Sequence, residues 1–207
     1  MQPEQSTPVT WIGQEHLGYV IQTTFSDENT QLILAWLEGL RQATGDNLYF
    51  MGADQLHITV LDWVAPLFDY GGINKQELYE SLKDEYAAAF RAITDSVRPF
   101  EVHFNELRVM PNTIILTGQD GGQFQSVRTQ FMERVALPEG AKQPPTIIHS
   151  SLTRFIGEPV ALAPYQEYVA AHPLELTQRI EDFRLVKTGR EPMLTYEVIE
   201  QFQLGGV

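Results

Sequence analysis

The chain of 207 residues contains no cysteine. It can therefore form no disulfide, offers no thiolate nucleophile and has no Cys-based zinc site. It also has no run of about 18 consecutive apolar residues, the length a helix needs to span a bilayer, so no membrane association is expected. Basic residues are scarce: 14 Lys and Arg stand against 27 Asp and Glu, a formal net charge of −13. Binding along a nucleic acid requires many phosphates to be neutralised, so a long duplex is not an expected partner. A small anionic ligand stays compatible with this charge, because a local pair of donors acts inside a repulsive global field. There is no phosphate loop: Gly118 and Gly121-Gly122 lack the Lys and the spacing of a Walker motif, and no His-Glu-x-x-His sequence is present. Residues 1–10 carry Gln, Pro and Glu where a secretory signal has a basic start and an apolar run. That segment is expected to be flexible, and the chain cytoplasmic and monomeric.

What the chain does have is apolar mass. Hydrophobic residues make up 43%, with 3 Trp, 8 Tyr and 11 Phe, enough for a sizeable core in a single unit over residues 1–207. Residues 16–25 read as a strand. Leu32, Ile33, Trp36, Leu37 and Leu40 form one helical stripe over residues 29–42, stopped by Gly45. A loop then leads to a strand over 56–64, which Pro66 ends. The same order recurs later. Residues 113–117 form a strand, Phe124, Val127, Phe131 and Val135 fall at helical spacing, and a strand runs over 146–155. The second helix starts about 94 residues after the first, an offset that signals an internal duplication. Between the halves lie a long helix marked by Leu78, Leu82, Tyr86, Phe90 and Ile93 and a strand over 101–109. A short helix at 165–171 follows, then paired strands over 176–187 and 193–202 around Gly189. Strands outnumber helices and their connections are short. The expected fold is therefore α+β: a bilobal, pseudo-symmetric unit of two small, mainly antiparallel sheets backed by helices around a central cleft.

Two of the strands carry matching chemistry, His57-Ile-Thr59-Val and His149-Ser-Ser151-Leu. Alternation puts residues i and i+2 on one face, about 7 Å apart. His57 thus shares a face with Thr59, Leu61 and Trp63, and His149 shares one with Ser151 and Thr153. Facing each other across a cleft, the strands would place two imidazoles and two hydroxyls around one small anion. Opening a cyclic phosphate needs a base for water and an acid for the departing oxygen. Histidine serves both ends near neutral pH, and hydroxyls donate to the non-bridging oxygens. The scheme needs neither metal nor cofactor.

The paired motifs resemble the His-x-Thr/Ser-x motifs of the 2H phosphoesterase superfamily, which includes bacterial RNA 2′,3′-cyclic phosphodiesterases, also called 2′-5′ RNA ligases. The resemblance covers residues 16–202 in element order. It implies a bilobal fold and metal-independent hydrolysis of a 2′,3′-cyclic phosphate or related cyclic or 2′-5′ bond, in a nucleotide or short RNA end. By resemblance His57 is the acid at the ribose oxygen, His149 is the base toward water, and Thr59 and Ser151 hold the phosphate. Members often carry a basic residue five positions after the second histidine, where Arg154 stands. Strict alternation aims Arg154 at the helix side, so it reaches phosphate only if a bulge re-aims it. Serine in the second motif keeps the hydroxyl and loses the methyl of threonine.

Trp63 has the parity to wall the cleft and stack a base; Tyr19, Tyr49, Phe68 and Phe155 are lesser candidates. His16, His103 and His172 lack a matching hydroxyl neighbour and read as structural or solvent-facing. Three other functions remain open: a metal-dependent hydrolase using His57, Asp62 and His149, a non-catalytic nucleotide-binding module, and an RNA ligase. The metal reading is disfavoured because parity turns Asp62 away from His57.

Overall fold

The computed structural model describes residues 4–138 and 141–205. In chain order the elements are β1 (Glu15–Thr24), α1 (Asp27–Thr44), β2 (Leu48–Phe50), a 3-10 turn (Ala53–Gln55) and β3 (His57–Val64). There follow α2 (Lys75–Thr94), β4 (Phe100–Met110), β5 (Thr113–Gln119), α3 (Gln123–Arg134), β6 (Ile148–Ser151) and β7 (Thr153–Phe155). The chain closes with α4 (Ala163–Ala171), β8 (Leu176–Ile180), β9 (Asp182–Arg190) and β10 (Thr195–Gln203).

Local signals set the helix ends. Ser26 caps α1 by accepting the Asn29 N–H, and Asp27 and Glu28 stabilise its positive end. Ile33, Trp36, Leu37 and Leu40 form the buried stripe, while Leu32 is left exposed. Asn74 caps α2 through the Gln76 and Glu77 N–H groups.

Two four-stranded sheets result, in the orders β10-β9-β1-β3 and β6-β5-β4-β8, with every pairing antiparallel. The expected two-sheet, bilobal α+β fold is thus the observed one. The motif strands β3 and β6 are both edge strands, and they meet at the seam between the sheets.

The lobes are interlocked. Helix α1 follows β1 of the first sheet, yet its Asn29 donates to the Thr177 carbonyl and the Gln178 side chain on β8 of the second. Helix α3 follows β5 of the second sheet, yet its Arg128 binds carbonyls on β3 of the first. One apolar cluster runs through both halves, including Trp63, Tyr86, Phe90, Phe124, Phe131 and Phe183.

Three expectations need correction. The strand over 146–155 breaks at Leu152, and β7 leaves its sheet to pair with β2, a short strand in what reads as loop. The strand over 176–187 breaks at Glu181, because β8 edges the second sheet while β9 lies inside the first. The N-terminal segment is held down where it is described. Ser6 N–H bonds the Val160 carbonyl, Val9 N–H bonds that of Phe155, and Gln5 bridges Ala161; residues 1–3 lie outside the described residues. No helix among the described residues is long and apolar enough to cross a membrane.

Candidate active site

Along β3 the side chains first alternate as expected. Ile58 and Val60 are buried, while His57 and Thr59 stand half-buried on the other face. The ladder to β1 then skips a residue, pairing Gln22 with Thr59 and Ile21 with Leu61 and leaving Val60 without a partner on β1. A bulge of this kind shifts the side chains that follow it by one position, and a second skip falls at Trp63, between the Asp62–Val20 and Val64–Tyr19 pairs. Trp63 therefore turns inward at 1% exposure, against the rings of Tyr79, Tyr86 and Phe131. It walls no cleft, and its expected stacking role is withdrawn. Asp62 takes the opposite turn and joins His57 and Thr59 in the cleft, against the parity that turned it away.

The second motif slips in the same manner. Ile148 and Ser150 are buried, while His149 and Ser151 face outward from them. At the break Leu152 and Thr153 are both fully buried, and Thr153 accepts the Ile114 N–H instead of facing the cleft. One slipped residue brings Arg154 onto the His149 side. Its Nη1 donates to Thr113 Oγ1 at 2.6 Å and to the Thr153 carbonyl at 3.2 Å, and its guanidinium lies 5.5 Å from the Trp11 ring centroid.

His57, Thr59, His149, Ser151 and Arg154 thereby line one cleft of about 390 Å³. Asp62, Lys142 and Glu191 complete its polar lining, with Lys142 ion-paired to the nearly buried carboxylate of Asp62. Sequence reading passed over Lys142 and Glu191. Their loops approach the cleft only in the folded molecule, and no local pattern marks them.

Each imidazole is fixed from two residues upstream. His57 Nδ1–H donates to the Gln55 carbonyl at 2.7 Å, which leaves Nε2 for the cleft. The Gln55 side chain in turn accepts the Gly52 N–H and the Tyr49 hydroxyl, both at 2.8 Å, and donates to the Pro192 carbonyl. His149 makes the equivalent backbone bond at Ile147.

Burial is the main force on both imidazoles and lowers both. At His57 the Gln55 bond opposes it, Arg154 lowers the value further, and Asp62 raises it. At His149, burial followed by His57, Arg154 and Arg128 brings the value down to about 4. Burial lowers Arg154 to about 10, with Glu191 opposing; at neutral pH the guanidinium stays charged. Burial raises Glu191, and a backbone bond from Met193 and the charge of Arg154 oppose it.

Arg128 is the other residue that sequence reading missed. It is 2% exposed, and its guanidinium donates to the carbonyls of Val60 at 2.7 Å, Thr59 at 3.0 Å and Ile147 at 3.4 Å. One side chain thus grips the backbone of β3 and of the segment entering β6. A signal for it existed: residue 128 sits four positions after Phe124, on the apolar stripe of its helix, where a cation calls for an explanation.

No family model matches the chain, and no curated protein matches it. Solved structures do. TT0787 of Thermus thermophilus is 19% identical, with a TM-score of 0.60 over 92% of this chain and 98% of that one. E. coli LigT in its apo form is 14% identical, with a TM-score of 0.64 over 92% and 99%. LigT complexed with 3′-AMP is 13% identical, with a TM-score of 0.54 over 92% and 99%. The chain therefore has the bilobal fold of LigT, the fold that its paired His-x-Thr/Ser motifs imply.

Proposed function

We propose that the chain is a metal-independent phosphodiesterase that hydrolyses a 2′,3′-cyclic phosphate, or a related cyclic or 2′-5′ phosphodiester, of a nucleotide or short RNA end. The observation that carries this reading is convergence. Two histidine–hydroxyl pairs, 92 residues apart in the chain, line one cleft together with Arg154. The fold it shares with LigT, which binds 3′-AMP in one crystal structure and phosphate in another, supports the same ligand class.

In this scheme the Thr59 and Ser151 hydroxyls and the Arg154 guanidinium hold the non-bridging oxygens, where charge rearranges in the transition state. His149 accepts a proton as a water oxygen attacks phosphorus. The bond from phosphorus to one ribose oxygen breaks, and His57 delivers a proton to that oxygen. The product is a phosphomonoester beside a free hydroxyl, and the next turnover requires only that the proton pass from His149 to His57 through solvent.

Burial lowers both imidazoles, and the charge of Asp62 beside His57 is what sets the two apart. Burial, followed by His57, Arg154 and Arg128, holds His149 neutral, as a base must be. His57 is lowered too, by burial first and then by Arg154, but Asp62 opposes that lowering, and a bound phosphate anion adds to the opposition. Among the described residues no group of three or more His, Cys, Asp or Glu side chains could hold a metal ion, and the scheme calls for none.

The test is a panel of 2′,3′-cyclic mononucleotides, cyclic-ended oligonucleotides and 2′-5′ dinucleotides, assayed with and without EDTA. Turnover of at least one substrate at an unchanged rate in EDTA is expected. Loss of activity in EDTA with recovery on Mn²⁺ overturns the metal-free scheme, and tight binding without turnover of any substrate reduces the protein to a binding module.

A further inference from the structure

Polar groups make up only some of the cleft lining. The rest of its wall is apolar and includes Met51, Pro66, Leu67, Phe68, Pro145 and Met193. A volume of about 390 Å³ falls in the range of sites that enclose a whole small molecule; a phosphate alone leaves most of it empty. Two of the apolar residues are also open to solvent, Leu67 at 48% and Phe68 at 36%.

Their loop runs directly out of β3, the strand of His57 and Thr59, and it is tied down along its length. Gly18 on β1 makes room for its first turn, since a Cβ there would stand 2.7 Å from that of Pro66. The Lys75 ammonium donates to the Pro66 carbonyl. The hydroxyl of buried Tyr70 accepts the Ala65 N–H at 2.9 Å, and its ring meets Phe68 edge-on with centroids 5.1 Å apart. Asp69 Oδ1 accepts the Gly71 N–H at 2.9 Å. An aromatic ring is thus held ready at the cleft without being used by the core.

We propose that this loop is the nucleobase subsite: with phosphate between the histidines, the base of the substrate stacks on Phe68, flanked by Leu67 and Met193. This deepens the phosphodiesterase reading and rests on it for the position of the phosphate. The substrate class it assigns is a nucleoside phosphate, as opposed to a sugar phosphate without a base. Stacking accepts any base, because every base has a π face. Methionines at two wall positions adapt to differing ring outlines. An apolar wall offers no donor or acceptor to read a base edge, so purines rank above pyrimidines by ring area alone.

The probes are 3′-AMP, 3′-UMP and the base-free methyl riboside 3-phosphate, whose affinities are measured by calorimetry for the wild type, Phe68→Ala and Phe68→Trp. These are product-like ligands, so the measurement stands apart from turnover. The wild type is expected to bind 3′-AMP at least tenfold more tightly than the base-free ligand, with 3′-UMP between them. Phe68→Ala should remove most of that advantage and leave the base-free affinity unchanged; Phe68→Trp should retain it. Equal affinity for the three ligands, an unchanged ratio in Phe68→Ala, or no binding of 3′-AMP overturns the subsite. If the ratios hold while no cyclic substrate is cleaved, the hydrolytic reading fails and the base subsite stands.

Discussion

Arg128 Nε–H donates to the Val60 carbonyl at 2.7 Å, and Val60 is the first residue of β3 that the β1–β3 ladder skips. In a regular strand, adjacent carbonyls point to opposite edges; at this bulge the neighbouring Thr59 carbonyl also reaches the guanidinium. The irregularity that re-aims Asp62 and Trp63 is thus held by the same side chain that joins β3 to the segment entering β6.

Replacing that side chain should therefore act on both stability and rate. Arg128→Met leaves buried carbonyls without a donor, a loss of about 1–3 kcal/mol for an unpaired polar group. Because β3 and the segment entering β6 lose a common anchor, kcat should fall by more than KM rises. Arg128→Lys, with a point charge in place of a fork, should lie between the two. Urea unfolding and steady-state kinetics check this; an unchanged unfolding midpoint in Arg128→Met would show that the grip is incidental.

His57→Ala and His149→Ala should each slow the chemical step by about 10²–10⁴, the range for one proton-transfer group. The double variant should cost much less than the product of the two factors, since the pair works as a unit. Single-turnover rates on a cyclic nucleotide decide this. Activity undiminished in either single variant removes that residue from the mechanism.

The buried imidazole of His149 also links folding to pH. Its folded value, about 4, lies below the ordinary 6.5, so between those two pH values the unfolded chain binds more protons than the folded one. Stability should therefore fall as pH drops from about 6.5 to about 4 and should level off below that; this one group accounts for at most about 3 kcal/mol. His149→Asn should flatten the slope in that window. Denaturant midpoints at pH 7 and pH 5 measure it, and an equal slope in wild type and variant places the linkage elsewhere.

Asp62 favours the protonated form of His57, so Asp62→Asn should move the alkaline limb of the kcat/KM profile to lower pH. The Lys142 charge, released from its ion pair, acts in the same direction. The acid limb, which reports the base, should move less. Because the two imidazoles interact, both limbs belong to the pair. A limb that stays in place in Asp62→Asn counts against His57 as the acid.

The element order and both histidine–hydroxyl pairs were legible because they rest on local rules: period-two alternation, helical stripes, caps and turn residues. Legibility ended at the two slips. Strict alternation carried Trp63 into the cleft and Asp62 out of it, and the skip at Val60 reversed both. The break at Leu152 likewise buried Thr153 and re-aimed Arg154. A bulge is set by the partner strand's register, and nothing in the residues 57–64 or 148–155 alone announces it. Arg128, Lys142 and Glu191 lie still further beyond local rules, because each reaches the cleft from an element distant in sequence.

The exchange of helices between the lobes has one more consequence. With α1 bound to the sheet of the other half and α3 bound in return, neither half can swing away without tearing out the packing of both. A cleft between two halves clasped in this way is expected to keep its shape, with a ligand entering and leaving by its open mouth. Affinity in such a site depends on how well the ligand matches a shape cast beforehand, and cutting the chain between its two motifs should yield no half that folds alone.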